Sequence, residues 1–168
     1  MTLFKRAHTI FNEGDYVLAQ AKKNREVIYG ARALKRQIGY LGLGRATVDW
    51  DVFSPKPKKS AQQLDRTLDK SSGGNHYFVK PAVHVGTYKV KDKGFDNKAN
   101  TDDDRNVADY SQMRPQMRTV VKDGVRYQAL SEVVKDRRRI LTEKEYAYRH
   151  NRDKYDLALI KQAKSIRR

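Results

Sequence analysis

The sequence contains no cysteine, which excludes disulfide bonds, thiolate metal sites and cysteine nucleophiles. It also lacks any run of roughly 18 apolar residues, the length that a membrane-spanning helix requires. The first residues, MTLFKRAHTIF, are too short and too charged to form the apolar part of a secretory signal. We therefore expect no membrane partner, no secretion through a classical signal, and a protein of the cytoplasm or of a virion.

Acidic residues are few for a chain with so many bases. The 168 residues include 36 Lys and Arg but only 20 Asp and Glu, which gives a formal net charge of +16. Hydrophobic residues make up 38%, so much of the chain must lie at a surface. A positive field of this size attracts polyanions, of which nucleic acid is the commonest. The charge therefore predicts a nucleic-acid partner, and a highly solvated surface is the alternative interpretation.

Hydrophobic periodicity in the first half of the chain predicts helices with one strand between them. Apolar residues recur at helical spacing over residues 3–38, interrupted at 12–15 and by a β-prone run at 27–29. Residues 47–53 then alternate in the manner of a strand. Ser60 is a candidate N-cap for a helix that ends near Leu68.

The second half predicts several short strands followed by helices. Residues 91–106 are polar and predict a long mobile loop. Asp123-Gly124 lies between two β-prone runs, which is a strong hairpin signal. The β-prone runs are residues 77–79, 83–85, 86–90, 107–110, 119–121 and 125–127. Together these patterns predict an α+β fold, in which a small mixed sheet carries packed helices.

A basic helical C-terminal extension is predicted after that fold. Ser131 is a candidate cap for its first helix, and helical patterning resumes from Glu143. Residues 135–168 contain 12 Lys and Arg against 5 Asp and Glu. We therefore divide the chain into a domain over 1–130 and a basic helical extension over 131–168.

Two acids, Asp49 and Asp51, flank Trp50 in the predicted strand at 47–53. Residues two apart on a strand share a face, so these carboxylates lie together and repel. A hard divalent cation such as Mg²⁺ relieves that repulsion, because it prefers oxygen ligands. Asp109 is a third acid within a strand-like run and also requires a partner. The alternative is a solvated Asp-x-Asp pair at a sheet edge.

Two segments of the chain resemble a known protein family. Residues 29–34 (YGARAL) and 45–53 (RATVDWDVF) are similar to the nucleotidyltransferase superfamily with the polymerase-beta-like fold, and in particular to its minimal AbiEii-type branch. That branch has Gly-Gly-Thr-Ala-Leu, a spacer, and Arg-x-Ser-x-Asp-hydrophobic-Asp-hydrophobic. Residues 152–157 (RDKYDL) resemble a motif on a late helix of the same branch.

The resemblance implies a nucleotidyltransferase-like fold and transfer of a nucleotidyl group from a nucleoside triphosphate (NTP) to a hydroxyl, often on RNA. It implies that Mg²⁺ is the cofactor and that three acids hold it and are catalytic: Asp49, Asp51 and Asp109. It further implies that the helix after the glycine contacts the nucleotide, which gives these binding residues: Gly30, Ala31, Arg32 and Arg45. Arg32 stands where the family often has a small hydroxyl residue, and it either strengthens phosphate binding or fills the pocket.

Basic and aromatic residues elsewhere are candidates for contacts with nucleic acid. The predicted contacts come from two basic runs: Lys56, Lys58 and Lys59, and Arg137, Arg138 and Arg139. Tyr146, Tyr148 and Tyr155 alternate with basic residues, a combination that binds single strands by charge and stacking, although packing between helices is an equal alternative. His84 could stabilise charge on a leaving group, or it could be an ordinary hydrogen-bonded strand residue.

Two functions follow from these observations. The first is an Mg²⁺-dependent nucleotidyltransferase that uses NTP and acts on a hydroxyl, with RNA as a candidate acceptor. The second is a catalytically inactive nucleotidyltransferase-like fold that serves as a basic nucleic-acid-binding protein or as a structural protein of a virus or phage, in assembly with other proteins. Hydrolysis by the same acids would need a water-activating base, for which the sequence offers no clear candidate.

Overall fold

The computed structural model describes residues 2–166, which form helices around one seven-stranded sheet. The helices are α1 (Thr2–Phe11), α2 (Glu13–Asn24), α3 (Gly30–Ile38), α4 (Pro57–Ser72), α5 (Leu130–Thr142) and α6 (His150–Ile166). Two 3₁₀ segments span Gly39–Leu41 and Lys144–Arg149. No helix within 2–166 combines the length and the apolar character needed to cross a membrane.

The sheet is mixed, and its strands do not follow one another in chain order. The strands are β1 (Val27–Tyr29), β2 (Trp50–Ser54), β3 (Tyr77–Pro81), β4 (Tyr88–Asp92), β5 (Arg105–Gln112), β6 (Thr119–Lys122) and β7 (Val125–Gln128). Their order across the sheet is β3-β4-β5-β2-β1-β7-β6. The pairs β2/β5 and β1/β7 are parallel and the other pairs are antiparallel. The predicted fold class, a mixed sheet with packed helices, is confirmed.

One face of the sheet is packed and the other carries polar groups. Strand residues alternate between the two faces, so Ile28, Val52 and Ala108 lie in the main core with apolar residues of α2 and α4. Their neighbours Asp51 and Asp109 belong to the opposite face, which opens into a cleft. The helices on the packed face therefore stabilise a sheet whose free face is available for a ligand.

The C-terminal helices pack against the rest of the fold through a second core. Leu34 and Ile38 of α3 meet Val133 of α5 and Leu159 and Ile160 of α6, and all five are buried. The segment predicted as a basic extension after residue 130 thus forms one side of the cleft. The position of the predicted boundary, between residues 130 and 131, stays a prediction.

Several elements differ from the sequence prediction in their bounds. Helix α4 starts at Pro57 rather than after Ser60, because proline is well suited to the first position of a helix. Ser60 is instead buried, and its hydroxyl donates a hydrogen bond to Glu26. The β-prone run at 83–85 is not a strand, because backbone hydrogen bonds close residues 82–87 into a turn between β3 and β4.

The predicted hairpin at Asp123-Gly124 is present. Asp123 has φ 52° and Gly124 has φ 78°, and β6 and β7 pair directly on either side of them. Positive φ at both central residues produces the turn twist that matches a β-hairpin. The Asp-Gly signal therefore identified both strands and the turn.

Candidate active site

The three predicted acids lie at one cleft on the free face of the sheet. Asp51 on β2 is the direct neighbour of Asp109 on β5. Asp49 precedes β2, and it and Asp109 both accept hydrogen bonds from the Asn106 side-chain amide, at 3.2 and 2.8 Å. The parallel pairing of β2 and β5 is what brings residues 58 positions apart in sequence side by side.

Lys89 provides a positive charge within this acidic group. It lies opposite Asp109 in the β4/β5 ladder, and its Nζ is 3.3 Å from Asp109 Oδ2. Thr47 donates to Asp49 Oδ1 at 3.1 Å. Asp109 and Asp49 are therefore partly satisfied by their neighbours, while the Asp51 carboxylate accepts no hydrogen bond from any residue within 2–166.

Asp51 has the most perturbed carboxyl group of the cleft. Its pKa is raised to about 7. Burial is the main cause, and the negative charges of Asp49 and Asp109 add to the effect. Arg137 and Arg149 act in the opposite direction. The elevated pKa shows that the ionised form of Asp51 lacks a sufficient counter-charge, which a cation would supply.

Gly30 allows the start of α3 to approach Asp51 closely. Its φ is +67°, and a Cβ at this position would lie 2.5 Å from Asp51 Oδ2. Its backbone N–H points to Gln128 Oε1 at 3.4 Å. Both the backbone angle and the space around it require glycine here.

Arginines form the side of the cleft contributed by α5, α6 and the loop before β2. Two fully buried carboxylates, Asp153 and Asp156, hold them in place. Asp156 binds Arg45 Nε and Arg137 Nε, both at 3.1 Å. Asp153 binds Arg137 Nε at 3.2 Å and Arg149 Nε at 2.8 Å. Each guanidinium keeps N–H donors that are not used in these pairs, so the wall is preorganised to bind anions.

The cleft has a volume of about 870 Å³ and separates two kinds of surface. The acids and the ring of Tyr29, stacked on Phe53 at 3.7 Å, lie on the sheet. Arg152 joins the arginine wall, where burial and the neighbouring guanidinium groups lower its pKa. Anionic phosphates can therefore lie between a cationic wall and an acidic floor.

Two of the predicted nucleotide-binding residues, Ala31 and Arg32, lie outside the lining of the cleft. The Arg32 guanidinium donates to the carbonyls of Val48 and Asp49, at 3.1 and 3.3 Å, and stacks on Trp50 with 4.3 Å to the ring centroid. Ala31 is buried. Neither residue lines the cleft. The structure thus gives Arg32 a different contact from the expected one with a triphosphate: it fixes the loop that carries Asp49.

The predicted nucleic-acid contacts do not form one surface. Lys56, Lys58 and Lys59 are exposed at the start of α4 and do not line the cleft. Successive helix residues point in different directions, so the arginine run on α5 separates. Arg137 is buried in the cleft wall, Arg138 lines a groove between α5 and α6, and Arg139 pairs with Glu143 at the cleft edge.

Sequence reasoning did not select several residues of the cleft. Lys89 and Asn106 reach the acids through strand register, which no local pattern reveals. Asp153 and Asp156 belong to the segment that resembled a late family motif, and this was the one available signal for them. Arg149 and Arg152 were part of a basic tail with nothing to separate them from other bases.

The acids fit a hard cation in their chemistry but not yet in their arrangement. All the donors are carboxylate oxygens, the ligands that Mg²⁺ prefers. As the side chains stand, however, no three or more His, Cys, Asp or Glu residues within 2–166 are grouped to hold an ion. Lys89 and Asn106 take up part of the acceptor capacity of Asp109 and Asp49 in this arrangement.

Comparison with solved structures identifies the architecture. The Megavirus polyadenylate synthase superposes with a TM-score of 0.66 at 17% identity over 90% of this chain. Two Helicobacter pylori proteins superpose with TM-scores of 0.51: JHP933, at 16% identity over 87% of the chain, and a protein assigned as a nucleotidyltransferase, at 20% over 88%. This chain has a nucleotidyltransferase-like fold.

The likeness is one of fold rather than of sequence. No protein-family model and no curated protein matches the sequence. The chain spans 32% of the Megavirus protein and 62% and 64% of the two H. pylori proteins, so it corresponds to a part of each. The nucleotidyltransferase-like fold expected from YGARAL and RATVDWDVF is thus present, while the comparisons do not single out the AbiEii-type branch.

Proposed function

We propose that this protein is an Mg²⁺-dependent nucleotidyltransferase that moves a nucleotidyl group from an NTP to a hydroxyl, with RNA as the acceptor. The single observation that carries the proposal is the placement of Asp51 and Asp109 side by side, beneath an arginine wall, in a nucleotidyltransferase-like fold. Membership of the AbiEii-type branch is part of the proposal and rests on the sequence motifs alone.

The reaction breaks one phosphorus–oxygen bond and forms another. The acceptor hydroxyl oxygen attacks the α-phosphorus, the bond to the bridging oxygen breaks, pyrophosphate leaves, and the hydroxyl proton passes to water in the open cleft. Arg45, Arg137 and Arg149 would bind the triphosphate, because their guanidinium groups are held by buried acids and face the cleft.

Asp49, Asp51 and Asp109 would hold the metal. A bound Mg²⁺ would supply positive charge that offsets the developing charge on the phosphate oxygens. Within residues 2–166 the Asp51 carboxylate has no hydrogen-bond partner, and its pKa is elevated, so it gains most from such an ion. Because Gly30 has no side chain, the space beside Asp51 Oδ2 stays open.

The proposal is tested by label transfer from α-³²P-labelled NTPs to total RNA in the presence of Mg²⁺. We expect wild-type protein to transfer label and Asp51→Asn to lose at least about 100-fold in rate, as removal of a group that stabilises transition-state charge does. Asp102→Asn is the matched control, because Asp102 is an exposed acid outside the cleft. Equal transfer by wild type and Asp51→Asn would contradict the proposal.

A second candidate function is favoured by one contact. The Lys89 ammonium group offsets the charge of Asp109 in the place of a metal ion, which suits a fold that binds polyanions without catalysis. In that case the protein would be a basic nucleic-acid-binding or virion component in assembly with other proteins. It predicts salt-sensitive RNA binding that survives replacement of Asp49, Asp51 and Asp109 by Asn, with no transfer of label by wild type.

A further inference from the structure

The turn between β3 and β4 presents apolar side chains to solvent at the edge of the cleft. Val83 and Val85 are 98% and 104% exposed, and His84 between them is exposed as well. The turn is nonetheless constrained, since Ala82 N donates to Thr87 O at 2.9 Å and Thr87 N to His84 O at 3.1 Å. Exposed apolar groups on a constrained turn are a common feature of binding surfaces.

A second element meets this turn across the cleft. The 3₁₀ segment Lys144–Arg149 places the ring of Tyr146 6.0 Å from the ring of His84, tilted by 36°. Tyr148 on the same segment is 78% exposed. Residues 82–87 and 144–149 are distant in sequence, but they approach each other at the cleft. We call the two segments together the arch.

Positive charge lies in the same cleft that the arch borders. Arg139 and Arg152 line this cleft, Arg149 belongs to the arch itself, and Glu145 is an acid of the arch. The same cleft leads to Asp51 and Asp109. Exposed rings above a cationic groove form the combination by which proteins bind unpaired bases and their phosphates. A neutral peptide would offer no anionic group to the guanidinium N–H donors that their carboxylate partners leave unused.

We propose that the arch binds the terminal unpaired bases of a single-stranded nucleic acid, by stacking them on His84, Tyr146 and Tyr148. Arg139 and Arg152 would hold the phosphates between those bases. The terminal hydroxyl would then point down the cleft toward the acids, as an acceptor. The proposal rests on the proposed function for that last step, and its binding step can be measured without catalysis.

The test measures binding of a 5′-fluorescein-labelled single-stranded RNA by anisotropy, in EDTA and without NTP, with Asp51→Asn protein. We expect Tyr146→Ala and Tyr148→Ala each to weaken binding by about 5- to 150-fold, the usual loss for one stacked base. Tyr146→Phe keeps the ring and should bind as the parent does. Phe95→Ala is the control, because Phe95 is an exposed ring in the loop after β4, outside the cleft.

A second readout locates the end of the strand. RNA with 2-aminopurine as its last 3′ base should lose fluorescence on binding, whereas 2-aminopurine at the 5′ end should not. Thermal unfolding of each variant must match the parent, which is expected because Tyr148 is exposed and Tyr146 half-buried. A blunt duplex should bind more weakly than the single strand, since its bases are already stacked.

Three results would overturn the proposal. The first is equal RNA affinity for the Tyr146→Ala/Tyr148→Ala double variant and Phe95→Ala. The second is blunt-duplex binding as tight as single-strand binding. The third is transfer of label to protein rather than RNA, which would make the arch a site for a protein acceptor. Stacking at the arch without any label transfer by wild type would instead contradict the proposed function alone.

Discussion

Asp51 shows how a single residue connects the cleft to the stability of the fold. Its pKa of about 7 lies well above the ordinary value of 3.8 because of burial and of the charges on Asp49 and Asp109. The folded protein therefore holds a proton that the unfolded chain has already lost between those two pH values. This group favours folding below pH 4, and its contribution disappears as the pH rises through 7.

We predict that Asp51→Asn stabilises the protein at pH 8 but not at pH 4. The amide removes the buried charge, so the free energy of unfolding at pH 8 should rise by about 1–3 kcal/mol, which is less than the full shift would give because the group opens onto the cleft. Urea unfolding of wild type and variant at both pH values measures this. The Asp102→Asn control should show no such pH dependence, and a pH-independent difference for Asp51→Asn would contradict the assigned pKa.

Gly30 supports a second prediction at the same scale, with another glycine as its matched control. Gly30→Ala and Gly42→Ala share a similar backbone penalty of about 1–2 kcal/mol, because φ is +67° and +73°. Only at Gly30 would the new Cβ meet a neighbour, Asp51 Oδ2. We expect Gly30→Ala to lose more stability than Gly42→Ala and also to weaken binding of Mn²⁺, measured by calorimetry. Equal losses for the two variants would show that Asp51 moves away without cost.

At the scale of a secondary-structure element, helix α6 supplies the acids that hold the arginines of the cleft. Its first turns bring Asp153 and Asp156 under the arginine wall, where both are fully buried. Buried ion pairs contribute little net stability, but breaking one leaves an uncompensated charge. The helix therefore matters mainly because it fixes the orientation of Arg45, Arg137 and Arg149.

We predict that Asp153→Asn destabilises the protein by about 3–5 kcal/mol, because Arg137 and Arg149 both lose a charged partner. The KM for NTP should rise as the arginine wall loses order. Glu143→Gln is the control: it makes the same chemical change in an exposed pair with Arg139 and should cost less than about 1 kcal/mol. Urea unfolding and nucleotide titration measure the two effects, and equal losses would contradict the role of the buried pair.

Local patterns predicted the elements that depend on local physics. The Asp123-Gly124 turn and the alternation around Trp50 identified β6, β7 and β2, although β2 begins at Trp50 rather than at residue 47. The run at 83–85 has strand-forming residues but forms a turn, because pairing of β3 with β4 requires the chain to reverse there. β-Propensity therefore does not decide between a strand and an apolar turn.

Contacts between distant parts of the sequence were beyond local patterns. The proximity of Asp109 to Asp51 was expected only through the family resemblance, and the position of Lys89 was not expected at all. Both depend on strand order and register, which the whole sheet determines. Arg32 illustrates the same limit, because its stacking partner Trp50 becomes a neighbour only when α3 packs beside β2.

At the scale of the whole molecule, the net charge of +16 sets how binding responds to salt. Neutralising phosphates releases the counterions condensed on a nucleic acid, so affinity falls as salt rises. The basic side chains are spread over the start of α4, the cleft and the groove between α5 and α6. Binding should therefore contain a large component that does not depend on the sequence of the nucleic acid.

We predict that affinity for single-stranded RNA falls by about 300- to 16,000-fold between 50 and 200 mM salt, the range for roughly 6–10 phosphate contacts on a single strand. Replacing Lys56, Lys58 and Lys59 together by Gln should reduce the slope of log affinity against log salt, if these exposed residues contact phosphate. Glu132→Gln, a substitution of a half-buried residue on α5 that removes a negative charge rather than a positive one, should not reduce this slope. Anisotropy titrations at four salt concentrations measure the slope, and a slope near zero would contradict polyanion binding.

The cleft combines acids that the ribosome makes early with residues of α6, which it makes much later. A ribosome makes Asp49, Asp51 and Asp109 well before Asp153 and Asp156, the two acids that hold Arg45, Arg137 and Arg149. Until α6 has emerged, those arginines have no buried partners and α3 has no cover for Leu34 and Ile38. A nascent chain thus completes its arginine wall only after α6 has emerged, so chains that stop before α6 carry the three acids without the buried partners of the arginines.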